Sequence, residues 1–210
     1  MDQKRVLETI FILKKTYPDA KYYLNFSNPV ELMVATILSA QVRDEAVNTC
    51  TKKLFKKYRN AKDFANSDLK VLTNYIKTIT FARNKAKNIK ATCKILVGKY
   101  NGKVPKTIEE LTKLPGIGRK TANTILINAY NIVNGIPVDT HIIRVSYRLD
   151  WTKSKNPDII EKDLEEIIPE KDWGKIAYII KAHGRAVCQA PVPYCSKCPV
   201  NNLCLKKRSY

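Results

Sequence analysis

The stretch Leu111-Thr-Lys-Leu-Pro-Gly-Ile-Gly-Arg-Lys-Thr-Ala-Asn123 constrains this chain more than any other. Gly116 and Gly118 stand one residue apart behind Pro115, between two patterns of helical spacing. Upstream, Thr107 followed three residues later by Glu110 is a capping-box signature, which predicts a short helix ending near Leu114. Downstream, Ala122, Ile125, Leu126 and Ala129 recur at helical spacing, so a second helix opens near Arg119. Only about four residues join the two, within the range of tight helix–helix connections, and glycines supply backbone angles that other residues avoid. The pattern predicts a helix-hairpin-helix over about residues 108–130.

Such a hairpin has a use. The N–H groups of Gly116, Ile117 and Gly118 can point outward as an anion nest, backed by the positive end of the following helix. A plain helix–helix turn would carry the same glycines. Here, however, the turn runs straight into Arg119, Lys120 and Thr121, in a chain with 38 Lys+Arg against 19 Asp+Glu and a formal net charge of +19. A balance that basic points to a polyanion, with nucleic acid the leading candidate.

Other features exclude whole classes. The start, Met1-Asp-Gln-Lys-Arg-Val-Leu, is charged at once and resembles no export signal. The longest apolar run, Leu32 to Ala40, is far too short to span a membrane. Four of the six cysteines crowd into residues 188–204, which reads as metal binding in a reducing, intracellular setting rather than as a disulfide framework.

The organisation reads as all-α. Val6, Leu7, Ile10, Phe11 and Leu13 form one amphipathic face ending before Pro18. Asn28-Pro29-Val30-Glu31 is a strong helix start, and the helix after it is apolar nearly all round, as a buried central helix would be. Asp44 is expected to cap the next helix, to about Tyr58, and Ser67 or Asp68 another towards Ile79. Asn84 to Tyr100 follows, closed by Asn101-Gly102, and after the hairpin come helices near 141–149, 158–168 and 173–183. No stretch alternates as a strand does.

Cys188, Cys195, Cys198 and Cys204 are spaced C-x6-C-x2-C-x5-C, with prolines at 191, 193 and 199. Thiolates so spaced can surround a tetrahedral zinc or an iron–sulfur cluster. A single C-x2-C pair with one lone cysteine on either side favours a [4Fe–4S] cluster. Cys50 and Cys93 fall inside helical patterns, as small buried side chains do.

Together the hairpin Leu114 to Ala122, the later Val138-Asp-Thr-His-Ile-Ile-Arg-Val145, the segment Leu38-Ser-Ala-Gln41 with Asp44, Asn84-Lys-Ala-Lys-Asn88 and the four cysteines resemble the endonuclease III family, in order along nearly the whole chain. The resemblance implies a bifunctional DNA glycosylase and AP lyase that removes oxidised pyrimidines, of the thymine glycol type, from double-stranded DNA. Two helical domains are implied, residues 22–132 and residues 1–21 with 133–210, holding DNA in a cleft, with Lys120 and Asp139 facing each other across it. The protein is expected to be a monomer without membrane contact.

The resemblance also assigns roles. Lys120 attacks the sugar C1′ and forms a Schiff base, from which β-elimination cuts the strand 3′ to the lesion. A first-turn position and the neighbouring Arg119 both disfavour its ammonium. Asp139, which by pattern is a helix N-cap, helps activate the lysine. His141 is expected to be structural or to contact phosphate. Gln41 fills the gap left by the flipped base, and Phe81 is a second wedge. Where the family commonly has glycine and tyrosine, this chain has Thr80 and Ala82, which would reshape the wedge and alter the lesions accepted. The Gln189–Tyr194 loop lacks the basic residues that relatives often carry there, although Arg185, Lys197 and Lys206 to Arg208 flank it.

Two other readings fit parts of the sequence. One is a mismatch glycosylase of the same fold, acting on thymine, uracil or adenine; those branches generally lack the hairpin lysine. The other is a non-enzymatic, zinc-containing DNA-binding module, which leaves Asp139 and Gln41 without a role.

Overall fold

The computed structural model describes residues 2–205 and contains no strand among them. Its α-helices are α1 (Gln3–Thr16), α2 (Pro29–Leu38), α3 (Asp44–Lys57), α4 (Ala61–Ala65), α5 (Leu69–Tyr75), α6 (Ala82–Tyr100), α7 (Ile108–Leu111), α8 (Arg119–Tyr130), α9 (Thr140–Arg148), α10 (Pro157–Ile167) and α11 (Glu170–Ala186). The all-α expectation is borne out. Chain contacts divide it into two compact units: Tyr23–Ile132, and the residues up to Tyr22 together with those from Val133 onward.

The continuous unit is built around α2. Asn28 caps it through a bond from the Glu31 N–H at 3.0 Å, Pro29 opens it, and every residue from Val30 to Leu38 is buried. Helix α2 packs on α8, α3 and α6. Fully burying a Leu, Ile or Met side chain stabilises by about 1.5–3 kcal/mol, and Leu32, Met33 and Leu38, all at 0% exposure, each contribute on that scale.

Local chemistry adjusts several expected boundaries. Asp44 is the first residue of α3 and is buried; Arg43 holds the cap position, with no side-chain bond. Of Ser67 and Asp68 it is Asp68 that caps, accepting from the Val71 N–H at 2.9 Å, while the Ser67 hydroxyl donates to the Phe64 carbonyl. Helix α5 stops at Tyr75, and α6 starts at Ala82, two residues before the expected Asn84. The short α4, anchored by buried Phe64 and capped by Asn60, has no counterpart in the sequence reading because one turn and a half is too short to show periodicity.

In the discontinuous unit α1 packs on α11 and α11 on α9. Val6, Ile10 and Leu13 join Ile142, Val145, Trp151, Ile160, Leu164, Ile176 and Ile180 in one core. Leu7 and Phe11, expected on the same buried face, are 42% and 68% exposed; the stripe that meets α11 is narrower than the apolar stripe in the sequence. An ion pair of Lys14 with Asp172 fastens the end of α1 to the start of α11.

Candidate DNA interface and thiol centre

The hairpin closes by its own backbone. Thr107 caps α7, accepting from the Glu110 N–H at 3.3 Å, and its hydroxyl donates back to the Glu110 carboxylate at 3.2 Å. The helix ends at Leu111, three residues before the expected Leu114, and tight turns carry the chain on: Leu114 N–H donates to the Leu111 carbonyl at 3.0 Å and Ile117 N–H to the Leu114 carbonyl at 3.1 Å. The expected nest therefore loses one member. The Ile117 N–H is used inside the turn and its side chain is buried, so Ile117 plugs the hairpin. The N–H groups of Gly116 and Gly118 make no bond within the described residues.

The two glycines turn out to differ. Gly116 has φ +81°, and a Cβ there would lie 3.0 Å from the Asn88 amide and 3.1 Å from its Cβ, so the fold itself demands glycine. Gly118 is extended, at φ −92° and ψ 177°, and a Cβ would meet nothing within 4 Å. Nothing inside the fold requires glycine there. Helix α6 seats the hairpin from below: buried Thr92 donates to the Pro115 carbonyl at 2.8 Å.

Helix α8 begins directly at Arg119, with Gly118 as a cap that has no side chain to satisfy the first N–H groups. Unpaired N–H groups at a helix start of this kind favour anions. Arg119 and Lys120 are exposed and Thr121 half-buried. Gln41 and Phe81, the expected wedge residues, belong to the same unit as the hairpin. Both are exposed, and both have positive φ, +57° and +59°.

Asp139 lies in the other unit. It is the N-cap of α9, and its Oδ1 accepts from the N–H of His141 at 2.8 Å and of Ile142 at 3.0 Å. Both bonds fall on one oxygen, so the cap fixes the carboxylate while Oδ2 makes no bond among the described residues. His141 is half-buried and accepts at Nδ1 from Arg144 at 3.2 Å, a structural role as expected. Burial lowers its pKa against the opposing pull of Asp139, with Arg144, Arg185 and Lys181 pushing the same way as burial.

Cys188, Cys195, Cys198 and Cys204 line one pocket with Arg148, Leu149 and His183, and none is in a disulfide. They belong to a segment with little regular structure, braced from outside by side chains. Arg148, 3% exposed, donates to the carbonyls of Gln189 at 2.7 Å and Pro191 at 3.0 Å and lies 3.5 Å from the Cys188 sulfur. Arg144 donates to the carbonyls of Cys188 and Gly184, both at 3.0 Å. His183 is 1% exposed, and burial pushes it down to about 4. It stands between the Tyr17 hydroxyl, 3.0 Å from Nδ1, and the Cys198 sulfur, 3.8 Å from Nε2. If Tyr17 donates to Nδ1, the proton on Nε2 faces the sulfur. Lys206 to Arg208, expected to flank this loop, lie outside the described residues.

The sequence reading missed Thr92, Lys85, Arg144, Arg148, His183 and Tyr17. Arg144 and Arg148 did carry a faint signal. They are four residues apart on α9 and buried beside Ile142, Val145 and Ser146, which is an unusual place for two cations.

Residues 34–170 match the family described as HhH-GPD superfamily base excision DNA repair protein. The endonuclease III of Synechocystis sp. is 46% identical over 202 residues, which are 96% of this chain and 92% of that protein. The endonuclease III of Rickettsia felis is 41% identical, over 96% of this chain and 95% of that one. A solved structure of a trapped endonuclease III–DNA covalent intermediate, an estranged-adenine complex, superposes with a TM-score of 0.93 at 40% identity, covering 98% of this chain and 97% of that chain. The chain belongs to the endonuclease III family of HhH-GPD base excision DNA repair proteins.

Proposed function

We propose that Lys120 is the nucleophile of this enzyme, a DNA N-glycosylase and AP lyase of base excision repair that removes oxidised pyrimidines from double-stranded DNA. The supporting observation is an exposed lysine in the first turn of α8, directly behind a bare Gly118 whose open side admits a DNA backbone. Arg119, Thr121 and the N–H groups of Gly116 and Gly118 grip phosphate; Ile117 contributes by plugging the hairpin.

The Lys120 nitrogen attacks C1′ of the extruded nucleotide through its lone pair, and the damaged base departs with the bonding electrons. Loss of the sugar ring bond leaves an imine, which acidifies the C2′ proton; its removal expels the 3′ phosphate by β-elimination. Asp139 is the second catalytic residue: its Oδ2 is left to offset the positive charge that develops on the sugar, while Oδ1 keeps the carboxylate mounted on α9. Gln41 and Phe81 enter the duplex where the nucleotide has left, meeting the unstacking cost of a few kcal/mol.

Cys188, Cys195, Cys198 and Cys204 hold a [4Fe–4S] cluster. Donors around one zinc at about 2.3 Å lie only about 3.8 Å apart, yet among the described residues no three Cys, His, Asp or Glu side chains converge as they would on a single ion. Four free thiols lining a common pocket suit a larger inorganic core. Held by these four residues, a cluster would cross-link the segment after α11, which makes the unit of residues up to Tyr22 and from Val133 onward an iron–sulfur domain, and the lysine chemistry does not use it. With DNA as substrate, the enzyme acts inside the cell, at the nucleoid.

Borohydride trapping tests the reading on duplexes with thymine glycol or an abasic site. Wild type should form a covalent adduct on both, and Lys120→Ala on neither. Tight DNA binding without any wild-type adduct would sink the enzyme and leave a binding module. An adduct on the abasic duplex alone would leave a lyase with a different base preference.

A further inference from the structure

Gln41 and Phe81 have backbone angles that bulky side chains rarely adopt. Asn101, Asn131 and Asp150 have them as well, but the first two are ordinary left-handed C-caps of α6 and α8 and the third directly follows the C-cap of α9. Gln41 and Phe81 have no such explanation. Gln41 lies beyond the C-cap of α2, and Phe81 sits at the N-terminus of α6, with no side-chain capping bond and 63% of its surface exposed. Strained tips of this kind persist only where their surroundings hold them.

Two side chains hold them. Lys85, 6% exposed on the first turns of α6, sends its amine to the carbonyls of Leu38 at 2.8 Å and Ala40 at 2.6 Å. The Thr80 hydroxyl donates to the Gln41 carbonyl at 3.3 Å. Carbonyls on residues 38, 40 and 41 are thus taken by side chains from residues 80 and 85. No carboxylate among the described residues bonds to Lys85, and its burial lowers its proton affinity. What balances its charge is the negative end of α2. A buried cation and a hydroxyl from one tip therefore fasten the other.

We propose that Lys85 and Thr80 are positioning residues that lock the Gln41 and Phe81 tips into one preformed wedge, with Thr80 fixing Gln41 relative to the base opposite the lesion. This rests on the reading of Gln41 and Phe81 as the residues that enter DNA. A wedge already ordered in the free protein spends none of its binding energy on ordering two loops. A glycine at position 80 could not make the bond, so the clamp is a property of this chain's Thr80.

The test uses the full chain with Thr80→Val, Thr80→Ser and Lys85→Met. Single-turnover excision of thymine glycol is compared, opposite adenine and opposite guanine, with strand cleavage at a preformed abasic site. Thr80→Val should slow excision about tenfold and flatten the preference for the opposing base. Lyase on the abasic duplex should fall by less than about threefold, because no base remains to be unstacked. Thr80→Ser, which keeps the hydroxyl, should restore the wild-type ratio, and Lys85→Met should shift it further than Thr80→Val.

An unchanged ratio in Thr80→Val, or a Thr80→Ser that behaves like Thr80→Val, overturns the proposal. Amide hydrogen exchange on the free protein decides independently of activity, and of whether Lys85→Met folds. Thr80→Val must speed exchange at residues 41–43 and 81–83 together; speeding at one tip alone means there is no clamp. A wild type that neither releases base nor traps on DNA refutes the activity reading instead, and the exchange result still decides whether the clamp exists.

Discussion

The hairpin and the cysteine segment are held in opposite ways. The hairpin between α7 and α8 is turned mainly by its own backbone: consecutive bonds close it, Leu114 and Ile117 plug it, one glycine is required by contact with Asn88, and a single outside side chain, Thr92, bonds the Pro115 carbonyl. The cysteine segment after α11 is held by others. Its carbonyls are taken by the guanidinium groups of Arg144 and Arg148, and its sulfurs lie against His183 and Arg148. The first design keeps its shape with little side-chain help and leaves its outer surface free for a ligand. The second keeps buried cations in place only while their acceptors remain, so fold and thiol centre stand or fall together.

The largest effect that would sharpen this contrast is on Lys120. Because the hairpin needs no help from that side chain, Lys120→Ala should lower single-turnover cleavage by about 10³-fold or more, with the melting temperature unchanged. A large loss of stability would break the comparison.

Next comes Arg148→Met. It strands the Gln189 and Pro191 carbonyls, and hydrogen bonds to a charged group are worth about 1.5–3 kcal/mol each. Thermal melts should fall accordingly, and purified protein should lose iron and its visible absorbance. Retained iron at wild-type level would show that the segment supports itself after all.

The glycines divide the hairpin's two duties. Gly116→Ala forces a side chain into the left-handed region and onto Asn88, costing about 1–2 kcal/mol or more. Gly118→Ala should leave folding within about 0.5 kcal/mol while weakening binding to an abasic duplex severalfold. Equal stability losses in both would mean that Gly118 serves the fold too.

The smallest effect is on His141. Its folded pKa is depressed, chiefly by burial. As pH falls below about 6.5 the unfolded chain takes up the proton first, so the stability this neutral imidazole permits is lost as pH falls towards the folded value. Denaturant midpoints of His141→Asn should decline less between pH 7.5 and 5.5 than those of wild type. Parallel declines would remove His141 from the buried network.

Much of this was legible in the sequence, for reasons that are local. Asn28, Thr107, Asp68 and Asp139 announce helix starts because a cap acts within three residues, and the hairpin shows because its glycines are contiguous. What could not be read depends on partners far along the chain. Nothing near Arg148 reveals the carbonyls of Gln189 and Pro191, and nothing near Lys85 reveals those of Leu38 and Ala40. Periodicity marked Leu7 and Phe11 as apolar but could not say how wide the covering partner would be. Two glycines that look alike in sequence were told apart only by φ and by Asn88.

Helix α1 belongs to a unit whose remaining parts are encoded after Ile132. During synthesis Val6, Ile10 and Leu13 emerge first and wait uncovered while the whole inserted unit is made and can fold. They meet Ile142, Trp151 and Ile176 only later, and the cysteines come last of the described segment. A nascent chain stalled between those events leaves an apolar helix face uncovered, so chaperone dependence and proteolysis should vary with translation speed across residues 133–200.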